Sequence, residues 1–100
     1  MIIAKVVGSA VASIKLDALQ STKLLVVRPA DAQGNATGAP LLAVDLVGAG
    51  EDELVMVSEG SSARMACAGA QGSDRSPADA AIIGILDSLR YYGDLVYRKA

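Results

Sequence analysis

Apolar and polar residues alternate with a period of two at the start of the chain. Over residues 2–12, Ile2, Ala4, Val6, Gly8, Ala10 and Ala12 share one parity, while Lys5, Ser9 and Ser13 fall on the other. Side chains along a strand point alternately to its two faces, so this is the pattern of a half-buried strand. A glycine inside such a strand marks a bulge or a barrel corner. "STKLLVVRP" at 21–29 predicts a second strand, closed by Pro29 and followed by the turn-rich "ADAQGNATGAP". The third spans 41–47, with Leu42, Val44 and Leu46 on one face and Ala43 and Asp45 on the other. "GAGED" turns the chain into a fourth strand, "ELVMVSE", at 53–59. A short helix fits "SSARMACA" at 61–68, between Gly60 and Gly69, and "GAQGSDRS" reads as loop.

Residues 76–90 fit two patterns. Ser76-Pro77-Ala78-Asp79 has a cap residue, a proline at the first helical position and an acid two residues further on. Ile82, Ile85, Leu86 and Leu89 then recur at helical spacing, yet "AIIGIL" is equally a buried strand containing a glycine. Periodicity does not separate the two for so short an apolar run, and the pattern alone leans to helix. "DLVYRK" closes the chain as a short strand. Four or five short strands with glycine-rich turns and one small helix specify a compact all-β barrel.

Composition narrows what such a barrel does. One hundred residues make a single domain spanning 1–100. Apolar residues supply 52% of the chain, more than one small core easily hides, which favours subunit contacts. The net charge of -2 and the scattered Lys and Arg residues argue against nucleic-acid binding. One cysteine, Cys67, allows no internal disulfide and fits a reducing cytoplasm. With no histidine the usual zinc sites cannot be assembled, and the acids lack the spacing of a calcium loop. "MIIAKVVGSAVASI" is too short to span a bilayer, has Lys5 inside it and lacks a basic lead, so neither membrane insertion nor a signal peptide is expected.

The stretch "DLVGAGEDELVMVSEGSSAR" at 45–64 raises the question of chemistry. A phosphate loop needs a Lys and Ser/Thr after its second glycine, whereas Glu51, Asp52 and Glu53 follow here and would repel phosphate. The glycines therefore mark a tight turn. Ser61 and Ser62 have no histidine to activate them and no lysine nearby, so either serves better as a helix cap. Arg64 is either a solvated charge or a bidentate partner for a carboxylate across a contact surface. Cys67 reads as a small buried side chain. Asp45 is assigned to an outward strand position and Asp87 to an element end. No catalytic, cofactor or metal residue is assigned.

Taken together, "MIIAKVVGS", "KLLVV", "VDLVGAGEDELVMVSEGSSAR" and "PADAAIIGILDSL" stand in the order and spacing seen in pentameric bacterial microcompartment vertex proteins, and the chain resembles the EutN/CcmL family. The resemblance implies a small five-stranded OB-like β-barrel with one short helix. It makes 81–86 a barrel strand and Gly84 a barrel-corner glycine. It also implies a homopentamer that caps the five-fold vertices of a carboxysome or metabolosome shell in the bacterial cytoplasm. Its partners would be its own copies and hexameric or trimeric shell proteins, with no enzyme activity, cofactor, nucleic acid or membrane. Ser61, Ser62 and Arg64 become candidates for the subunit interface, and Gly48, Ala49 and Gly50 for a loop at the five-fold pore. The alternative is an OB-like barrel binding single-stranded nucleic acid, which would need aromatic stacking platforms that Tyr91, Tyr92 and Tyr97 alone do not supply.

Overall fold

Five runs of aliphatic, largely β-branched residues pair edge to edge until the sheet closes on itself. In this computed structural model, which describes residues 1–13, 22–71 and 78–99, they are β1 (Ile2–Ala10), β2 (Leu24–Pro29), β3 (Leu41–Asp45), β4 (Leu54–Glu59) and β5 (Ala80–Ile85). Their order in the closed barrel is β1-β2-β3-β5-β4. Every neighbouring pair is antiparallel except β3 and β5. Closure leaves no free sheet edge in the barrel. Helix α1 (Gly60–Gln71) links β4 to β5, and the hairpin of β6 (Ser88–Tyr91) and β7 (Asp94–Arg98) forms a separate two-stranded sheet.

Two apolar clusters organise the molecule. The first fills the barrel with Ala4, Val6, Leu25, Val27, Val55, Val57 and Ile82, joined by Ala49 from the loop after β3. The second lies outside the barrel wall, where Val44 and Ala81 meet Ala63 and Cys67 of α1. Ala63 and Cys67 are four residues apart and so share one helix face, and their small size lets the helix approach the sheet closely. Cys67 is fully buried, as expected.

The strand reading of 81–86 holds, and β-branched Ile82 is buried in the barrel. Of the helix-start residues, Ser76 and Pro77 lie outside the described residues, while Ala78 and Asp79 lead directly into β5. Two bulges bend the barrel. In β1 the register with β2 slips between Val6 and Gly8, so Val7 is the extra residue. Beyond it the parity inverts, with Gly8 opposite Val26 and Ser9 opposite Leu25. In β5 the slip falls at Ile83, beside Gly84. A Cβ on Gly84 would collide with the end of the Met56 side chain, so this glycine makes room across the ladder.

Three sequence expectations need correction. The helix runs through Gly69 to Gln71 rather than stopping at Ala68, because Gly69 keeps an ordinary φ and does not break the turn. Ser61 and Ser62 do not cap it. The chain enters the helix at Gly60, whose φ is 65° and whose N–H donates to the Asp79 carbonyl, leaving both serines exposed within the first turn. β6 had no counterpart in the sequence reading. Its hairpin turns at Tyr92 and Gly93, both at positive φ (52° and 82°), which matches the right-handed twist of the flanking strands.

Candidate functional site

The chain from Asp45 to Glu53 closes one end of the barrel, and its shape is set by a carboxylate. β3 ends where the Asp45 side chain folds over its own loop and accepts hydrogen bonds from the N–H groups of Val47 (3.1 Å), Gly48 (3.0 Å) and Ala49 (3.0 Å). That side chain is only 1% exposed, and Lys23 Nζ stands 3.8 Å from Oδ2. Asp45 is therefore not the outward strand residue that alternation suggested. A carboxylate can accept several amides at once and so replaces the partners a continuing strand would have offered.

The loop is anchored further along. Asp52 N–H donates to the Val6 carbonyl (2.8 Å), and Val6 N–H to the Glu53 carbonyl (3.0 Å). Glu53 Oε1 accepts from Gly50 N–H, and its Oε2 lies 2.7 Å from Lys99 Nζ at the end of the hairpin. The Lys99 contact, then the Gly50 amide, holds the Glu53 carboxyl below its ordinary pKa, and Glu53 in turn raises that of Lys99. Gly48 takes a φ of 77°, which a residue with a Cβ rarely adopts, whereas Gly50 does not need positive φ.

These bonds decide what the GAG turn presents. Ala49 is 2% exposed because its methyl group enters the barrel core, while Gly48 and Gly50 are exposed on either side of it. The loop surface thus consists of glycine backbone, Val47, Glu51 and Asp52. Ser61, Ser62 and Arg64 lie elsewhere, on the exposed side of α1 opposite Ala63 and Cys67, with Met65 beside them. β4 separates the two groups of residues by roughly 17 Å at the usual rise per strand residue. The structure brings neither set to the other.

Sequence reasoning placed β7 at "DLVYRK" but missed the carboxylate fastening at Asp45, the Glu53–Lys99 link and the β6 half of the hairpin. A signal existed for two of them. An aspartate just ahead of a glycine-rich turn is placed to accept the turn's amides. Tyr92-Gly93 just ahead of "DLVY" is a two-residue hairpin signal, weakened by tyrosine at the first position and by the mixed residues of "SLRY" before it. Among the described residues no group of three or more Cys, Asp or Glu side chains converges as a metal site, and no helix is long and apolar enough to cross a membrane.

The architecture has close relatives. Residues 1–87 match the family described as "Ethanolamine utilisation protein EutN/carboxysome". The bacterial microcompartment shell vertex protein EutN of Salmonella typhimurium is 40% identical over 99 residues, covering 99% of this chain and 96% of that one. The carboxysome shell vertex protein CcmL of Synechococcus elongatus is 41% identical, again covering 99% and 96%. The structure of GrpN, a pentameric microcompartment shell protein from Rhodospirillum rubrum, superposes with a TM-score of 0.78 at 40% identity, covering 91% of this chain and 99% of its own. A likeness of this extent in both sequence and barrel leaves one assignment: the chain belongs to the EutN/CcmL family.

Proposed function

We propose that this chain is a structural shell protein, forming homopentamers that cap the five-fold vertices of a bacterial microcompartment in the cytoplasm. The observation that carries it is the match along nearly the whole chain to proteins named as shell vertex components, one of them described as pentameric. A flat layer of six-fold tiles closes into a polyhedron only where five-fold units replace six-fold ones. The protein's work is then shape complementarity with its own copies and with hexameric or trimeric shell tiles. The single-stranded nucleic-acid alternative loses ground, since every aromatic residue falls within 91–97 and the five barrel strands carry none to stack on bases.

Two finer assignments belong to this reading. Arg64, exposed on α1 beside the hydroxyls of Ser61 and Ser62, is placed at a subunit contact where its guanidinium can pair with a carboxylate. The loop holding Gly48, Ala49 and Gly50 is placed at the five-fold opening, supported by a surface of bare backbone that tolerates close approach of copies. Ala49 contributes from beneath, as the plug that keeps the loop flat against the barrel. With Glu53 engaged by Lys99, the opening would be ringed by Glu51 and Asp52, two free acids per subunit rather than three. Light scattering coupled to size exclusion tests the assembly: the expected mass is five times that of the subunit, and a monomer at micromolar concentration would refute it.

A further inference from the structure

The hairpin of β6 and β7 is fastened to the barrel at both of its ends, and by adjacent residues. Where the chain enters it, Leu86 N–H donates to the carbonyl of Leu54 at 2.9 Å, beside a leucine that is buried in the barrel. Where the chain leaves it, Lys99 Nζ meets Glu53 Oε2 at 2.7 Å, and the Lys99 N–H donates to the Asp87 carbonyl at 2.8 Å. The first fastening is main chain against a buried strand. The second is a side-chain ion pair, with Lys99 41% and Glu53 20% exposed, which water and salt can reach. The hairpin therefore has a fixed hinge and a clasp that can open.

The clasp has a second hold. The other oxygen of the same carboxylate, Glu53 Oε1, accepts from the N–H of Gly50. The rest of the loop is fixed independently. Asp45 takes the amides of Val47, Gly48 and Ala49, while Asp52 and Glu53 bond β1 through their main chain. Gly50 is exposed at the joint between these two anchored parts, without a side chain to hold it down.

We propose that Glu53 couples the shape of the loop at Gly50 to the seating of the C-terminal hairpin. With Lys99 in place, one carboxylate oxygen is engaged and the other is aimed at the Gly50 amide. Once Lys99 leaves, the glutamate regains its other rotamers and Gly50 loses a steady acceptor. Linkage makes the effect run both ways: a change at Gly50 that turns the carboxylate loosens Lys99. A methyl group on Gly50 is such a change, because its Cβ would stand 3.3 Å from Glu53 Oε1. The meaning for assembly rests on the loop placement proposed above. An open clasp frees Glu53 to join Glu51 and Asp52 at the opening, and it loosens the glycine backbone at the same time.

Amide hydrogen exchange, followed residue by residue by NMR, tests the coupling. In Lys99→Met, which keeps an aliphatic stem and drops the charge, the Gly50 amide is expected to exchange about three-fold faster, while Val47, Gly48 and Ala49 keep their rates. Raising the salt concentration should accelerate Gly50 in the wild type and have little effect in Lys99→Met. In the other direction, Gly50→Ala is expected to speed exchange of the Lys99 amide, and the two changes combined should add little to either alone. An unchanged Gly50 rate in Lys99→Met overturns the coupling. So does equal acceleration at Val47, Gly48 and Ala49, which would mean a general loosening of the loop. An unchanged Lys99 amide in Gly50→Ala overturns it too, because linkage admits no one-way coupling. Both readouts lie within one subunit, so they decide the coupling whether the chain runs as a pentamer or as a monomer, and its failure is told apart from failure of the vertex reading.

Discussion

The barrel and the C-terminal hairpin solve the same problem in opposite ways. The barrel hides its large aliphatic side chains from water within one subunit, with Val6, Val27, Val55, Val57 and Ile82 fully buried. The hairpin places tyrosines and a leucine on its surface and is fastened at its base by an ion pair and a few backbone bonds. The barrel is closed on itself, whereas the hairpin is a separate two-stranded sheet attached through these few contacts. Changes in the barrel should therefore unfold the whole subunit, while changes in the hairpin should leave the barrel intact.

The largest effect is expected from Ile82→Ala, which empties part of the barrel core. Burial and cavity terms together should cost about 2–5 kcal/mol, read as a drop in denaturant midpoint at constant slope. Barrel and ring should fail at the same concentration of denaturant; a variant that loses the ring first would mean that Ile82 acts through the interface.

Asp45→Ala comes next. It removes the acceptor for three loop amides, and an unsatisfied buried amide costs about 1–3 kcal/mol. Water reaches part of this loop, so the total should stay near the lower end of what three such losses would give. Hydrogen exchange at Val47, Gly48 and Ala49 should accelerate while β1 and β2 keep their protection. Equal acceleration across the barrel would show that the loop and the core do not open separately.

Gly48→Ala is expected to cost about 1 kcal/mol, since its backbone sits at positive φ with open space around it. Gly50→Ala should cost less by thermal melting, because only the movable Glu53 carboxylate stands near the new methyl group. The reverse order would contradict the backbone argument.

The smallest effect concerns the hairpin's fastening. Glu53 has a lowered carboxyl pKa, so its share of the link is complete above the ordinary value of 4.5 and fades as pH falls through the lower folded value. Lys99 has a raised pKa, so its share is complete below 10.5 and fades as pH climbs through the higher folded value. Exchange protection of the hairpin amides should thus fall at both extremes, and more at high salt. Lys99→Ala should remove the pH response without changing the barrel's melting temperature.

Much of the barrel was legible because its strands carry their own period. β4 lies within one residue of "ELVMVSE", and β2 within the span of "STKLLVVRP". The segment around Ile82 was not, since a short apolar run with a glycine suits either geometry until neighbours on both sides demand a strand. Alternation also misled at Asp45, because it records which face a residue occupies and not whether its carboxylate will be wrapped by amides. The hairpin escaped notice for a related reason: Arg90, Tyr91 and Tyr92 break any apolar rhythm, and β6 is defined by the turn that follows it. Ser61, Ser62 and Arg64 were legible as surface residues, but the copy that would give them a role lies outside one chain's sequence.

The Asp45 fastening has a consequence for how such a loop can change over time. The loop is held by main-chain amides on a single carboxylate, by the Ala49 methyl group beneath it and by backbone bonds to β1. None of these uses the side chains of Val47, Glu51 or Asp52. Scaffold and exposed surface are thus written in different residues. Selection, or an engineer, can rewrite Val47 and Glu51 one at a time while the fold that presents them stays the same, whereas Asp52, at a φ of 67°, is confined to residues that tolerate that backbone, such as asparagine or glycine.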